Sequence, residues 1–483
     1  MPLSHFNKHK MKKYASILIL LSAMTACRKE GNNTPIQEAE LKNRSKAPAF
    51  VEMFPEFSSV NVFTLISTDD TIQGSPSFVY GGAPDGQAFM KNPDGSGFIM
   101  ATNHENTWAI SRVYLDKKLN PVKGEYIVDT DGGMFRLCSG SLATPEEHGF
   151  PRPTFLSTGE SNVNAMTHAI DMLAPAQPKD QSRVKPALGK FSGENAVPLP
   201  KDAYPGKTVI ILGEDAGNGQ VYLYISNTPG DLDNGKFYVL RRVDQNQIET
   251  AMTKGNTYNV EFVEVPNAKN LTGVEIENLM NPLKAIQFAR VEDLDYRKGG
   301  GANGRDLYFV ATGMAGTTEK TYWGRMYRLQ MDAANPLTGK LQVVADGADD
   351  PGKDIINPDN LCATDNFVYI QEDGDSFFPG ATHNSWIWQY NIATGTKKPF
   401  MEMKNRTMAG TKYNPNSDMR YGLWEHGAMI DISDMIGVKG AFTINIHSHS
   451  WVEGDKFLNP SKANSVQSYK SGGQTLIITN VPK

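Results

Sequence analysis

The sequence predicts an all-β protein, and two observations support this prediction. From about residue 50 onward, short runs rich in β-branched and aromatic residues are bounded by Gly, Pro, Asn and Asp, and helical periodicity is scarce. Glycine (44 residues) and proline (28 residues) are frequent, which is typical of a chain with many turns. We therefore expect many short strands joined by turns, with clear examples at 209–212, 221–225, 307–311 and 367–371.

A regular spacing of acidic residues indicates the architecture. Glu292, Asp359 and Glu425 each stand shortly ahead of an apolar stretch, at intervals of 67 residues (292 to 359) and 66 residues (359 to 425). A typical propeller blade has roughly 40 to 50 residues, so these intervals suit blades that carry insertions. In a β-propeller the innermost strands lead into one channel, where the three carboxylates would converge. The alternative is a sandwich or jelly roll with isolated acids in its turns.

The first residues have the pattern of an export signal. Lys12 and Lys13 precede an apolar run at 15–21, which is too short to span a bilayer, and small residues follow up to Cys27. Thr25-Ala26-Cys27 resembles a bacterial lipobox, in which the cysteine is acylated. We predict a signal peptide at 1–26, a lipid on Cys27, a flexible polar tether at 27–48 and a catalytic propeller at 49–483. An ordinary signal with an incidental cysteine is the alternative.

These features place the protein on the bacterial cell envelope, at the periplasmic or surface face of the outer membrane. The net charge of −5 and the lack of a basic stripe argue against a nucleic-acid partner, and we expect a monomer.

Besides Cys27, only Cys138 and Cys362 remain, so no disulfide framework holds the fold together. These two cysteines could pair, or a lone thiol could ligate a metal.

Several side chains could carry chemistry. Glu105 follows an apolar run, and its oxygens suit a hard cation such as Ca²⁺. Cys138 lies in a polar loop, and Glu160 ends the strand that follows it; a thiolate beside a carboxylate favours a transition metal. Arg290 and Glu292 share one strand face, and an arginine beside a metal-binding carboxylate is the pairing that a phosphate ester needs. A surface salt bridge is the rival interpretation of that pair.

Further candidates are Glu194 and the pair His447 and His449. The two histidines share a strand face and could bind metal, and histidines of an edge strand without a metal are the alternative. The common hydrolase signatures are missing, because the sequence has no Gly-x-Ser-x-Gly, no His-Glu-x-x-His and no phosphate-binding loop. Serine-nucleophile chemistry therefore has no support in the sequence.

The order of these segments resembles the PhoX-type alkaline phosphatases. The segments are Asn103-His104-Glu105, Cys138-Ser139-Gly140, Gly159-Glu160, Phe191-Ser192-Gly193-Glu194, Arg290-Val291-Glu292, Pro358-Asp359-Asn360-Leu361, Glu425 and His447. The resemblance implies a six-bladed propeller with a cluster of Ca²⁺ and Fe³⁺ at the channel mouth, ligated partly by a cysteine, that hydrolyses small-molecule phosphate monoesters.

The resemblance also implies roles for individual residues. Cys138 would be the iron thiolate, Arg290 and Glu292 would be catalytic, and Glu425 and His447 would form a possible additional site. The carboxylate ligands to iron or calcium would be Glu105, Glu160, Glu194, Glu292 and Asp359.

The sequence also departs from the family pattern. A single glutamate, Glu160, stands where the family has a pair, Gly193 replaces a histidine, and Val291 replaces a proline. The metal acids and Arg290 are retained, so the resemblance supports a metal site more strongly than the reaction and marks this chain as a divergent member.

Two other functions stay open. One is a surface-tethered propeller that binds a partner, with calcium in a structural role only. This function stays open because a propeller fold alone does not establish an enzymatic activity. The other is lactone or sugar-ester hydrolysis on a calcium propeller. Neither function needs Cys138 or Arg290, so these two residues discriminate between the hypotheses.

Overall fold

The strands are arranged as blades around a central channel. In this computed structural model, residues 39–373, 380–454, 456–457 and 470–483 are described, and they belong to one compact unit. The predicted signal peptide and Cys27 lie outside the described residues. No helix in the described part of the chain is long and apolar enough to cross a membrane.

Each blade is an antiparallel sheet whose strands succeed one another from the channel outward. Blade 1 has β3 (Pro84–Lys91), β4 (Gly97–His104), β5 (Ala109–Asp116) and β6 (Pro121–Val128); blade 2 has β7 (Arg136–Ala143), β8 (Thr154–Glu160) and β9 (Thr167–Asp171). Blade 3 has β10 (Gly193–Pro198), β11 (Thr208–Glu214), β12 (Val221–Ser226) and β13 (Lys236–Arg242); blade 4 has β15 (Val291–Tyr296), β16 (Asp306–Ala311), β17 (Arg325–Met331) and β18 (Thr338–Asp346).

Blades 5 and 6 each take one strand from the N-terminal part of the domain. Blade 5 has β19 (Pro358–Ala363), β20 (Phe367–Glu372), β21 (Trp386–Asn391), β22 (Lys397–Met403) and, at its edge, β1 (Val51–Met53). Blade 6 has β23 (Glu425–Asp431), β24 (Phe442–Val452), β25 (Ser471–Thr479) and β2 (Asn61–Ser67). Pairing of β2 with the last strand closes the ring by hydrogen bonds between the two ends of the domain.

The predicted all-β propeller is confirmed. The innermost strands β3, β7, β10, β15, β19 and β23 contact one another in cyclic order, and β23 returns to β3. The resemblance implied a six-bladed propeller, and six innermost strands surround the channel, but the hydrogen-bonded sheets number five in the described part of the chain. The difference arises because β14 (Thr257–Glu264) pairs with both β13 and β18 and joins blades 3 and 4 into one nine-stranded sheet.

Helices are short and lie in the connections. The α-helices are α1 (Thr130–Gly133), α2 (Pro145–His148), α3 (Gly273–Met280) and α4 (Ser433–Ile436). The 3-10 turns are Pro55–Phe57, Glu105–Thr107, Pro186–Leu188, Glu249–Ala251, Ala268–Asn270, Gly301–Arg305 and Gly347–Asp349. The apolar core lies between neighbouring blades, because alternate strand residues face the sheets on either side.

The described end of the predicted tether packs on the domain. Ala39 and Ala47 are buried, and Arg44 Nε donates to Asn120 Oδ1 at 3.1 Å. Residues 39–48 form no helix or strand, and hydrogen bonds hold them on the domain: the Arg44 amide donates to the Thr64 carbonyl at 2.8 Å and the Lys46 amide donates to Asp70 Oδ1 at 2.8 Å. This stretch therefore extends the domain that we predicted to begin at residue 49.

Candidate metal centre

The first residues of the innermost strands meet at one mouth of the channel. Each innermost strand starts there with a potential ligand among its first three residues: Asp85, Cys138, Glu194, Glu292, Asp359 and Glu425. The innermost strands run in the same direction along the channel, so their first residues lie close together at the same end. Cys138 thus lies in β7 and not in the loop predicted from its polar neighbours.

A bulge follows the start of every innermost strand. The pairing of each with its neighbour shifts between Pro84 and Gln87, Leu137 and Gly140, Gly193 and Ala196, Val291 and Leu294, Pro358 and Leu361, and His426 and Met429. A bulge adds a residue, bends the strand and changes the direction of a side chain. In a regular strand, the side chains of consecutive residues point to opposite faces of the sheet. The bulges change this alternation, so the acidic side chains can point into the channel mouth.

The second strand of most blades adds another ligand at the same mouth. Second strands run antiparallel to the innermost ones, so their last residues return to where the innermost strands begin. Glu105 directly follows β4, Glu160 ends β8, Asp215 follows β11 and Asp373 follows β20. In blade 6, His447 of β24 stands directly opposite Glu425.

These side chains form a continuous array, which we call the mouth array. Its ligand atoms fall into five overlapping groups, within each of which all of them lie within 4.8 Å of one another. The groups are Asp85–Glu105–Cys138, Cys138–Glu160–Glu194, Glu194–Glu292–Asp359, Asp359–Asp373–Glu425 and Glu425–His447–His449.

The structure thus brings together every metal-site candidate that we named from the sequence. Glu425 and His447, which we expected to form an additional site, join the same array. Their role as metal ligands stays a prediction. Sequence reasoning missed Asp85, Asp215 and Asp373, each of which stands within two residues of a glycine in a turn-like context.

Cys138 lies between two carboxylates. Its Sγ is 2.7 Å from Glu105 Oε1 and 2.6 Å from Glu160 Oε2. A thiol carries one proton and can donate to only one of them, so this crowding of anionic donors fits a shared cation. Asn103 fixes the strand by donating to the Cys138 carbonyl at 2.5 Å. Cys138 and Cys362 are both free and buried, so the two cysteines do not form the disulfide that the sequence left open.

The concentration of buried carboxyl groups in the array also favours the binding of cations. Burial raises the pKa of Glu160 to about 7, and the negative charges of Asp215 and Glu105 add to the rise. Burial, followed by repulsion from neighbouring acids, raises the pKa values of Glu194 and Asp359 well above the usual range. Buried carboxylates without enough counter-charge are unfavourable, and metal ions are one way to supply it.

At the end of the array that contains His447 and His449, the histidines balance the negative charge of Glu425. His447 Nδ1 and His449 Nε2 each lie 3.0 Å from Glu425 Oε2. Burial alone would raise the pKa of Glu425, but the two histidines lower it below its ordinary value. Burial lowers the pKa of His447, while Glu425 outweighs this effect and raises it to about 10.

Arg290 provides a cation at the edge of the array. Its Nε and Nη2 donate to Asp215 at 2.7 and 3.1 Å, and Nη2 lies 3.0 Å from Glu292 Oε1. Its Nη1 has no hydrogen bond to any described residue, and the side chain is 33% exposed. The backbone of Arg290 has φ +63°, held by bonds to Ala216 and Thr312. Asp215 therefore orients the guanidinium and leaves part of it open to an anion.

A second arginine was missed by sequence reasoning. Arg136 Nη1 lies 3.5 Å from Glu160 Oε2, and the side chain is 32% exposed. The spacing Arg136-Leu137-Cys138 matches Arg290-Val291-Glu292, with a cation two residues ahead of a ligand. This repeated spacing is the signal that could have identified Arg136.

A family model matches the middle part of the chain. The family model described as alkaline phosphatase PhoX matches residues 170–421, more than half of the chain. The chain belongs to the PhoX family of alkaline phosphatases. The matched stretch includes Glu194, Glu292, Asp359 and Asp373 of the mouth array, and Arg290 and Asp215 beside it.

A solved structure shares the fold of this PhoX family member. Pseudomonas fluorescens PhoX, in complex with vanadate, aligns with a TM-score of 0.59 and 14% identity, covering 91% of this chain and 98% of that one. An α-L-arabinanase of Penicillium chrysogenum, complexed with arabinobiose, aligns with a TM-score of 0.40 and 13% identity over 87% of this chain and 100% of that one, too low to show a common fold. A comparison with curated proteins found no match.

Proposed function

We propose that this protein is a metal-dependent phosphatase that hydrolyses phosphate monoesters, with calcium and ferric iron held in the mouth array. The observation that carries the proposal is the partly open guanidinium of Arg290 beside the buried carboxylate Glu292. An arginine can hold two phosphoryl oxygens at once, while a neighbouring carboxylate holds a metal. The solved PhoX structure from Pseudomonas fluorescens contains vanadate, described as a transition state analogue, which is consistent with such a site.

The donor set divides the array into two ends. Cys138 with Glu105, Glu160 and Glu194 supplies sulfur and oxygen, which suits iron. Glu292, Asp359 and Asp373 supply only oxygen, which suits calcium. When bound, these metals would polarise phosphoryl oxygens and offset negative charge that develops during the reaction.

The chain's own residues would bind and orient the substrate. Asp215 fixes the plane of the Arg290 guanidinium through two hydrogen bonds, and Nη1 can donate to a phosphoryl oxygen. Arg136 offers a second cation on the Glu160 side. The two alternative functions, partner binding and lactone hydrolysis, need neither Cys138 nor Arg290. The convergence of these two residues in one array favours the phosphatase.

Metal analysis paired with hydrolysis of a chromogenic phosphate monoester tests this function. The wild type is compared with Glu292→Ala, Arg290→Ala and the control Arg328→Ala. Arg328 suits as a control because it makes a similar two-bond pair with Asp306, at 2.6 and 2.7 Å, and is also part-exposed, but in the outer part of blade 4.

We expect Glu292→Ala to lose metal and activity. Arg290→Ala should keep metal and lose about 100-fold or more in kcat/KM, as removal of one transition-state donor typically does. Arg328→Ala should change neither. Calcium without iron together with no turnover, or full activity in both site variants, would show the proposal to be wrong.

We also propose that a lipid on Cys27 anchors the enzyme outside the cytoplasm, as the lipobox-like sequence indicates. Expression of a Cys27→Ala variant should move the protein from the membrane fraction to the soluble fraction. An unchanged membrane fraction would contradict the anchor without affecting the proposed chemistry.

A further inference from the structure

A groove with aromatic walls opens on blade 5 beside the mouth array. It encloses about 450 Å³, and the side chains used in the argument are His383, Asn384, Trp386, Glu402, Arg406 and Tyr421. We call it the blade 5 groove. Its volume lies within the range of small-molecule sites, roughly 300 to 1,000 Å³. The groove is therefore large enough for the organic part of a substrate.

Three buried polar atoms in the wall of the groove have no hydrogen-bond partner among the described residues. They are His383 Nδ1, Asn384 Oδ1 and Arg406 Nε. His383 is only 6% exposed, so its free nitrogen is far from bulk water. Buried donors and acceptors without partners are costly and uncommon in folded proteins. A ligand with both donors and acceptors would satisfy them.

The walls also present flat surfaces. The guanidinium of Arg406 lies 4.4 Å from the centre of the Tyr421 ring, and Arg406 makes no ion pair with any described residue. The Trp386 indole stacks on His383 with ring centres 3.8 Å apart, and its Nε1 donates to Glu402 at 3.1 Å. Fixed planar walls of this kind bind flat, polar, aromatic groups, of which nucleobases are the common example.

The groove and the mouth array are joined through two consecutive residues. Glu372 accepts hydrogen bonds from His383 Nε2 at 3.0 Å and from the Trp386 amide at 2.8 Å, which fixes the groove wall. The next residue, Asp373, belongs to the array with Asp359 and Glu425. A small cleft lined by Asp373, His383 and Tyr421 lies between the two sites. A phosphate at the array and a ring in the groove would thus be neighbours.

We infer that the blade 5 groove binds the nucleobase of a nucleoside monophosphate whose phosphate lies at the mouth array. The inference rests on the proposed function only for the position of the phosphate at the mouth array. The groove supplies stacking surfaces, the N–H of Arg406 as a donor, and Asn384 Oδ1 and His383 Nδ1 as acceptors, because the proton of the His383 ring lies on Nε2, which donates to Glu372.

The test compares adenosine monophosphate with glycerol phosphate, an ester that has no ring. We expect the ratio of kcat/KM for the nucleotide to kcat/KM for glycerol phosphate to fall about tenfold in Arg406→Ala, as loss of a stacking partner typically produces. Tyr421→Leu should lower the same ratio, and it replaces Arg406→Ala as the test variant if Arg406→Ala does not fold. The control Arg152→Ala removes an exposed arginine, which pairs with Asp171 on blade 2, and should leave the ratio unchanged.

Binding of adenosine to the metal-loaded protein gives a second measurement that needs no turnover. Calorimetry should show adenosine binding to the wild type and about tenfold weaker binding to Arg406→Ala. If no ester is hydrolysed but adenosine binds in this manner, the groove is right and the phosphatase proposal is wrong. If esters are hydrolysed while the ratio is unchanged in both groove variants and adenosine does not bind, the groove inference is overturned and the phosphatase proposal stands.

Discussion

In the metal-free protein, stability should fall as the pH rises, and Glu160 should contribute a measurable part of the fall. Glu160 is 7% exposed and lies next to Cys138 and near Asp215 and Glu105. Burial and these acids raise its pKa from 4.5 to about 7 in the folded state. The folded state therefore binds a proton more tightly than the unfolded state does. The stabilising effect of that proton is complete below about pH 4.5 and is lost as the pH rises through about 7.

The size of the effect follows from this shift. One pKa unit corresponds to about 1.36 kcal/mol, so Glu160 alone should account for about 3 kcal/mol between pH 4.5 and 7.5. A compact unit that runs from residue 38 to residue 483 has an unfolding entropy of about 0.9 kcal/mol per kelvin, at about 2.1 cal/mol/K per residue. The expected change in melting temperature is therefore about 3 to 4 °C.

The assay is thermal unfolding in excess chelator across this pH range. The melting temperature of the wild type should fall by this amount relative to that of Glu160→Gln, which cannot titrate. Glu146→Gln is the matched control in the same blade, because Glu146 is exposed, and it should follow the wild type. Parallel curves for wild type and Glu160→Gln would refute the assignment of Glu160 as a buried, repelled carboxylate.

Three further predictions concern the array and the core. Cys138→Ser should lose bound iron and its visible absorption, while Cys362→Ser, which removes the other buried thiol, keeps both in metal analysis and absorption spectra. Gly86→Ala places a Cβ 2.5 Å from the backbone of Cys138 and should lower stability by about 1 to 3 kcal/mol and reduce metal content, whereas Gly217→Ala, whose nearest neighbour is 3.6 Å away, should do neither. Burial lowers the pKa of His168 from 6.5 to about 4, so the wild type should lose about 3 kcal/mol relative to His168→Gln as the pH falls from 6.5 to 4, and a flat difference between the two in denaturant titrations would contradict this.

The strands were predictable from local sequence. The runs 209–212, 221–225, 307–311 and 367–371 fall within β11, β12, β16 and β20, because β-branched residues between turn formers specify a strand without help from the rest of the chain. The spacing of Glu292, Asp359 and Glu425 also marked the starts of three innermost strands. The pairing of β14 with β18 was not predictable, because it joins residues about 80 positions apart and depends on packing between blades.

The site was predictable only in part. Glu292 and Asp359 precede apolar runs and carry the family pattern, so their position was readable from the sequence. Asp85 was missed, although Pro84-Asp85 repeats the Pro358-Asp359 dipeptide at the start of another innermost strand. Asp215 and Asp373 have no such signal, since each follows a second strand by one residue and reaches the array only through the closure of the ring. The bulges that direct the innermost acids into the channel mouth have no recognised local pattern in this sequence.

The array is asymmetric, and the asymmetry indicates where an anion enters. The second strand of blade 2 ends at the acid Glu160, those of blades 1, 3 and 5 are directly followed by an acid, and that of blade 6 presents His447. In blade 4, the strand β16 ends at Ala311, and the next residue, Thr312, is 1% exposed and donates its hydroxyl hydrogen to the Pro358 carbonyl at 2.7 Å. Blade 4 therefore adds no negative charge from its second strand, and it is also the blade that carries Arg290. For the proposed function, we infer that an approaching phosphate would meet the least repulsion on this side and find a guanidinium there, so the missing acid and the arginine together would define the entry side of the site.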